Sequence, residues 1–475
     1  MAIEEALRIA VVGHTNAGKT SLLRTLTRRV DFGEVSERPG TTRHVERIEL
    51  MVRGRAAVRF FDTPGLEDAV SLREHMARIE RIGSAPTPPD RIRLFLQGPE
   101  AHGVFEQEAK VLRTLLDVDA AFLVIDAREP VLPKYRDEIE LLRSCARPVL
   151  PVLNFVRDAA SREAEWKALL AAYGMHAVVR FDAAAPFVGA ERDLYQDLVT
   201  LLRDRRGQLE GVIDALTQEA AERRTAAAAR IGELLVDVAA MRRNVATADF
   251  QDQARRAPMV ADLQRAVFDK AQRCASDLLA LYRFRDGDAA EAPLPLLEGR
   301  WSMDFFSPEA MKDAGLRLGK GAAVGAAVGV VADLAAGGLS LGAGAALGGA
   351  IGGAISQGIG PLGRKLFNTL RDVHELSVDD GVLLLLADWQ LSLVRALEQR
   401  GHAATARIRT EPDRAVERSP MLAAAVRATG PARNHPEWAH APGRRRPDGA
   451  PQRRQTVEEA TRGLASALED LGPDR

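Results

Sequence analysis

Cysteine is almost absent. Cys145 and Cys274 are the two in 475 residues, far apart and in no metal-ligand spacing. That excludes a disulfide framework and a thiolate metal cluster, and both are expected as buried, reduced thiols of a cytosolic protein. A surplus of charge is missing too. Lys and Arg total 65 against 66 Asp and Glu, for a formal net charge of −1. No overall field steers the chain toward nucleic acid, and no specific nucleic-acid signal is present. The nine histidines are scattered without metal-ligand spacing. The opening MAIEEALRIAVV is acidic and runs straight into a strand pattern, unlike a signal peptide. Lysine is scarce beside arginine and alanine is abundant, a pattern of genome composition. The run Arg444-Arg445-Arg446 therefore reads as part of a solvated tail rather than a contact for an acidic surface.

What is present is concentrated near the N-terminus. GHTNAGKT, Gly13 to Thr20, fits the phosphate-loop pattern G-x-x-x-x-G-K-[ST]. The apolar run Leu7–Val12 precedes it as a strand, and Ser21-Leu22-Leu23-Arg24 follows as a helix start. Backbone N–H groups of Gly13, Asn16, Ala17, Gly18 and Ser21 and the helix N-terminus would surround phosphates. Lys19 would reach the β- and γ-phosphates, and the Thr20 hydroxyl would bind Mg²⁺. DTPG at Asp62–Gly65 answers it, at the end of a second strand-like run, Ala57–Phe61. Asp62 would hold Mg²⁺ through water, and the Gly65 N–H would sense the γ-phosphate. Two motifs in this order, each at a strand end, point to a nucleoside triphosphate site.

The length allows two or three domains. Strand-like runs at Leu7–Val12, Val45–Val52, Ala57–Phe61, Ala120–Ile125, Val149–Leu153 and Ala177–Phe181 alternate with helical patterns such as Lys134–Cys145 and Arg162–Tyr173. This predicts a doubly wound, mostly parallel α/β sheet over residues 1–205. The span from Asp62 to Asn154 is long for a minimal domain of this kind, and its excess falls near Leu72–Gly103, where Pro86, Pro88 and Pro89 mark a loop. From residue 206 the strand pattern stops. Gln208–Asn244 and Phe250–Tyr282 read as long amphipathic helices within a region 206–300. Residues 301–404 hold a Gly/Ala segment and a helix, Val378–Arg400, giving an all-α C-terminal domain. Residues 405–475 read as a largely disordered tail with a short helix at Thr456–Leu471.

GHTNAGKTSL, PGTTR at Pro39–Arg43 and DTPG together resemble the Era-like branch of translation-factor-class GTPases. That branch includes the tRNA-modifying GTPase and the G domain of the bacterial iron transporter. DAREPVLPKY at Asp126–Tyr135 has the same flavour. To about residue 403, the chain also resembles a bacterial family that couples such a domain to a helical domain of unknown function. The resemblance implies a P-loop GTPase that binds GTP and GDP, with Mg²⁺ as cofactor. PGTTR falls where such proteins place switch I, and Thr42 is the residue chosen to close over Mg²⁺ and the γ-phosphate. An ordinary loop threonine is the alternative.

Two positions depart from the wider pattern. Ras-like GTPases carry a glutamine after DxxG to orient the attacking water. Here that residue is Leu66; the Era-like branch also carries an apolar residue there. The resemblance implies that Asn16 helps to bind a K⁺ ion that bridges the phosphates; a loop asparagine bonded to its own backbone is the alternative. Guanine reading normally uses N-K-x-D, but the chain has Asn154-Phe155-Val156-Arg157-Asp158. Either a one-residue bulge lets Asp158 serve or Asn154 acts alone. The second guanine loop falls near Asp182-Ala183-Ala184, and ATP or relaxed purine binding remains the alternative. His14 and His44, the histidines within the nucleotide motifs, are expected in surface-loop roles.

Gly321, Gly325, Gly329 and then Gly344, Gly348, Gly352 recur every four residues, with Gly337-Gly338 between the sets. This predicts a helical hairpin with small-residue faces. Buried packing and membrane association through residues 316–363 both remain open. Arg317, Lys320, Arg364 and Lys365 would lie on one side, the inner face of the cytoplasmic membrane. Asp333 and the sparse aromatics argue for burial. The expected function is a cytoplasmic GTP-hydrolysing switch that acts on an unknown protein effector. A nucleotide-dependent scaffold with negligible hydrolysis and a membrane-remodelling or transport-linked GTPase are the alternatives.

Overall fold

The computed structural model describes residues 5–29, 45–82, 86–187, 189–284, 296–297, 300–301, 330–332, 373–401, 420–439 and 451–470. The chain divides into two compact units. One comprises Met1–Ala221 with Glu398–Ala406 and Pro473–Arg475; the other comprises Glu222–Leu397 with Arg407–Gly472.

The first unit is built on strands β1 (Leu7–Val12), β2 (Glu46–Val52), β3 (Arg55–Asp62), β4 (Ala120–Asp126), β5 (Val149–Asn154) and β6 (Val179–Arg180), in the order β2-β3-β1-β4-β5-β6. β2 and β3 form an antiparallel hairpin, and all other pairings are parallel. The expected parallel sheet and its strands are present, with the last strand shortened. Parallel strands covered on both faces must be apolar throughout. Accordingly, all of Ala120–Ile125 is buried. Alternate residues of β1 serve opposite faces. Ala10 and Val12 pack with Leu112, Leu142 and Trp166, whereas Ile9 and Val11 pack with Leu22, Phe60 and Leu194.

The helices of this unit are α1 (Lys19–Thr27), α2 (Ala69–Ile82), α3 (Pro88–Gln97), α4 (Glu106–Leu116), α5 (Pro133–Ser144), α6 (Glu163–Ala172) and α7 (Ala190–Leu201). The excess at Leu72–Gly103 is therefore mostly helical, and of the prolines expected to mark a loop only Pro86 lies between α2 and α3. Pro88 opens α3 instead of interrupting it: Thr87 is the N-cap, and its hydroxyl accepts from the Asp90 N–H. A proline in the first turn loses no intrahelical hydrogen bond.

The second unit is mostly helical but not all-α. It takes the later part of α8 (Arg206–Ala239) and then β7 (Arg242–Ala246), α9 (Thr247–Gln251) and α10 (Gln253–Leu281). The expected helix Gln208–Asn244 stops early because Arg242–Ala246 pairs as a strand. The expected helix Phe250–Tyr282 is broken at Asp252, whose carboxylate accepts the Ala254 N–H and caps α10. Short strands β8 (Leu296–Leu297), β9 (Arg300–Trp301) and β10 (Val330–Ala332) precede β11 (Val373–Val378). β10-β11-β7 is an antiparallel sheet. Val330–Ala332 thus corrects the first helix of the expected glycine hairpin: two consecutive valines are extended against Leu376–Val378. The remainder of that hairpin lies outside the described residues. Among the described residues no helix is long and apolar enough to cross a membrane.

Three further helices complete the unit: α11 (Asp380–Glu398), α12 (Pro420–Ala428) and α13 (Pro451–Asp470). The expected short helix Thr456–Leu471 is present as α13, which begins earlier, whereas residues 420–439 are helix and turn against the expected disordered tail. Leu422, Ala425 and Val426 of α12 recur at helical spacing and are buried, as are Trp438 and, on α13, Leu464, Ala467 and Leu468. Pro- and Arg-rich composition hid this short apolar pattern. At the α12–α13 contact a Cβ on Gly463 would lie 2.9 Å from that of Ala425, so glycine sets the approach of the two helices. Both cysteines are buried and free, as expected.

Candidate functional site

The site forms where β1, β3, β4 and β5 end, with the chain leaving β1 between β3 and β4. This is the crevice that open α/β sheets use for ligands. The loop after β1 needs glycine at both ends. Gly13 has φ 139°, and a Cβ there would stand 2.2 Å from the Val124 carbonyl oxygen; Gly18 has φ 91°. Lys19 is buried, and its Nζ donates to the carbonyls of Gly13 at 3.1 Å and His14 at 2.9 Å. Its ammonium is folded into the loop that would hold phosphate. Burial pulls its pKa below the ordinary value, against the attraction of Asp62 and Glu138. Asn16 is exposed and left-handed at φ 65°. Ala17 is buried, and Ser21 follows in the first turn of α1.

Asp62, the last residue of β3, is buried beside Lys19. The Thr20 hydroxyl donates to its Oδ2 at 2.6 Å, while its Oδ1 is buried without a hydrogen-bond partner. Burial pushes its pKa up to about 6, against the Thr20 hydrogen bond and Lys19. A hydroxyl and a carboxylate with an unused lone pair fit a hard, hydrated divalent cation such as Mg²⁺, which takes few protein ligands when phosphates supply others. Thr63 ties the DTPG loop to β1 by donating its hydroxyl to the Val11 carbonyl at 2.8 Å. Gly65 packs so closely that a Cβ would stand 2.4 Å from Thr15 Oγ1. Leu66 is fully buried in the core, so its side chain faces away from solvent. Thr42, with Arg43 and His44, lies outside the described residues.

Asn154 ends β5 and is buried. Its Nδ2 donates to the Ala17 carbonyl at 3.0 Å, and its Oδ1 accepts from the N–H groups of Phe155 and Ala183, at 3.0 and 2.9 Å. One side chain therefore joins the phosphate loop, β5 and the loop after β6. Asp158 does not bulge inward. Its Oδ1 accepts the Ala160 N–H at 2.9 Å, and its Oδ2 lies 3.9 Å from Arg128. Asp182 accepts from Ala184 and Ala185 and shapes the expected second guanine loop.

Several contacts at the site are not announced by the motifs. His14 is not the simple surface residue expected. Its Nδ1 meets Glu138 Oε1 at 2.9 Å, and its Nε2 meets Lys134 Nζ at 2.9 Å. That pairing suits an imidazole protonated on Nδ1. These three residues, with Tyr135 and Trp166, help line a cavity of about 240 Å³ beside the phosphate loop. Glu138 is buried, and only its place on the inward face of α5 could have signalled it. Glu108 on α4 accepts the N–H groups of Glu67 and Asp68, at 3.1 and 3.0 Å, just past DTPG. Gly401 donates its N–H to the Ala184 carbonyl at 2.9 Å, and a Cβ there would stand 1.8 Å from the Ala183 oxygen. The base loop is thus pinned by a residue more than two hundred positions away in sequence.

The family described as a 50S ribosome-binding GTPase matches residues 8–155, and the domain of unknown function DUF3482 matches residues 167–461. The chain belongs to the DUF3482 family. It joins an Era-like P-loop GTPase domain to the mostly helical region of that family. Among curated proteins it is similar to the tRNA modification GTPase MnmE of Rhizobium meliloti, 35% identical over 25% of this chain and 27% of that one. MnmE of Beijerinckia indica is 30% identical over 39% of this chain and 33% of its own length. The chain thus spans about a third or less of these relatives. A crystal structure of an Aquifex aeolicus Era variant bound to GDP and AlF₄⁻ is 22% identical over 37% of this chain and 50% of that one, with a TM-score of 0.26.

Proposed function

We propose that this DUF3482-family protein binds GTP and GDP and hydrolyses GTP to GDP and phosphate as a Mg²⁺-dependent switch. One observation carries the reading: Lys19 is buried with its ammonium on the loop carbonyls, beside an Asp62 oxygen that has no partner. Phosphate would replace those carbonyls on Lys19. Gly13, Asn16, Ala17, Gly18, Thr20 and Ser21 would surround the phosphates. Thr20 and Thr42 would hold Mg²⁺ directly and Asp62 through water, and the ion would supply positive charge against that developing on the phosphates. The Gly65 N–H would report the γ-phosphate and order switch II. Asn154 keeps the base loop and phosphate loop together; Asp158 acts on the base only if it leaves its turn.

Lys19→Ala abolishes tight nucleotide binding, read by titration with labelled GDP, whereas Thr42→Ala mainly slows hydrolysis. Unchanged GDP affinity in Lys19→Ala would remove the site assignment. Competition by ATP at similar concentrations would remove the guanine preference.

The buried Leu66 supports a second reading, a nucleotide-dependent scaffold with negligible hydrolysis. Single-turnover hydrolysis at saturating GTP separates the two. In the first reading Asn16 ligates K⁺, supported by its exposed position in the loop, and hydrolysis is faster in K⁺ than in Na⁺ at fixed ionic strength. An effector protein would respond to the switch. Membrane association through residues 316–363 belongs to the same reading, supported by the basic flanks at Arg317, Lys320, Arg364 and Lys365. Release of the intact protein by a carbonate wash would remove an integral attachment.

A further inference from the structure

Guanine differs from hypoxanthine by its 2-amino group, a hydrogen-bond donor, so a site that reads it must present an acceptor, ordinarily a carboxylate. Three aspartates end or follow β4, β5 and β6 around the expected base position, and each is engaged elsewhere; Glu129, on the loop after β4, lines the cavity beside the phosphate loop. Asp126 holds Arg128 through two hydrogen bonds, Nε to Oδ1 at 3.0 Å and Nη2 to Oδ2 at 2.7 Å. Asp158 closes its own turn on the Ala160 N–H. Asp182 is buried and closes the Ala184–Ala185 turn. At the third position after Asn154, where the carboxylate would stand, the chain has Arg157, whose guanidinium lies over the Phe187 ring at 4.3 Å.

Aromatic surface has taken the place of the charged pattern. Phe155 adopts φ 59°, and its Cε2 is 3.7 Å from a Cβ built on Gly18, at the phosphate loop. The Arg128 guanidinium lies 3.8 Å from the centre of its ring. A ring in this place offers stacking, which is indifferent to the substituent at purine C2.

We propose that this site binds purine nucleotides without reading the 2-amino group, so that guanine and hypoxanthine nucleotides bind alike, stacked on Phe155 with no acceptor at Arg157. This rests on the nucleotide reading above and adds which edge of the base is left unread.

The full-length protein is titrated with labelled GDP and competed with unlabelled GDP and IDP in Mg²⁺. The two Kd values agree within about threefold, whereas a site that hydrogen-bonds the amino group discriminates by about tenfold or more. Arg157→Asp supplies the missing acceptor and raises the preference for GDP to about tenfold. Arg157→Ala removes the cation without supplying an acceptor and leaves the ratio unchanged. Phe155→Ala weakens GDP and IDP by the same factor. Tight GDP binding with rejection of IDP by the parent overturns this proposal alone, and so does an unchanged ratio in Arg157→Asp. Failure of both nucleotides to bind overturns the nucleotide site itself.

Discussion

At Asp62 two requirements conflict. The carboxylate has to be ionised to hold a cation, yet burial favours its neutral form and lifts its pKa from 3.8 to about 6. The folded state therefore holds this proton more tightly than the unfolded chain. Its stabilising contribution is fully present below the unfolded value, near pH 4, and is lost as pH rises through about 6. In the absence of nucleotide and Mg²⁺, Asp62→Asn should thus raise the melting temperature at pH 7.5, and the gain should shrink toward zero at pH 4. A shift of this size corresponds to on the order of 2–3 kcal/mol. The same proton competes with Mg²⁺, so Mg²⁺-dependent GDP affinity should fall as pH drops below about 6 in the parent. A melting temperature for Asp62→Asn below that of the parent at pH 7.5 would show that its charge is stabilising in the empty site.

Among the elements, α4 makes the least obvious contribution. Glu108 is buried and takes two successive N–H groups of the turn that leads into α2. Removing such an acceptor typically costs about 1–3 kcal/mol. Glu108→Ala should therefore speed amide hydrogen exchange at Glu67 and Asp68 selectively, while exchange in β1 and β4 stays as in the parent. Exchange that rises equally across the sheet would instead mark a global loss of stability. This contact was illegible in the sequence because its partner lies forty residues away. The strands were legible, since buried parallel strands must be continuously apolar; motif spacing also picked out Lys19, Thr20, Asp62 and Asn154, which the fold brings to the phosphate loop. For Asp158 the sequence left two alternatives open and did not reveal that its carboxylate closes a turn on Ala160. Glu138 and Gly401 left no local signal, because their partners are brought in by the fold.

At the scale of the molecule, the clearest test concerns the last seventy residues. Read by composition they form a tail; in the fold they supply part of a core. Leu422, Val426, Trp438, Leu464 and Leu468 are buried there with residues of α8, α10 and α11. Polar ties follow the same route. Arg453 donates to Asp237 at 2.8 Å, and Asp237 also meets Lys270 at 3.2 Å. Arg433 donates to the Val378 carbonyl at 2.9 Å, at the end of β11. Truncation after residue 404 would expose the apolar faces of α8, α10 and α11 to water, at about 25 cal/mol for each Å² uncovered. It would also strand the Asp237 carboxylate with Lys270 alone. Each lost large side chain corresponds to about 1.5–3 kcal/mol, so several together match the whole stability of a typical domain, about 5–15 kcal/mol. The truncated protein should therefore lose the cooperative unfolding transition of its second unit and bind a hydrophobic dye, measured by calorimetry and dye fluorescence. A point variant, Trp438→Ala, should lower that transition without abolishing it, because α12 and α13 remain. A disordered tail makes the opposite forecast: both variants would melt like the parent, and the assignment of residues 420–470 to the core would then be wrong.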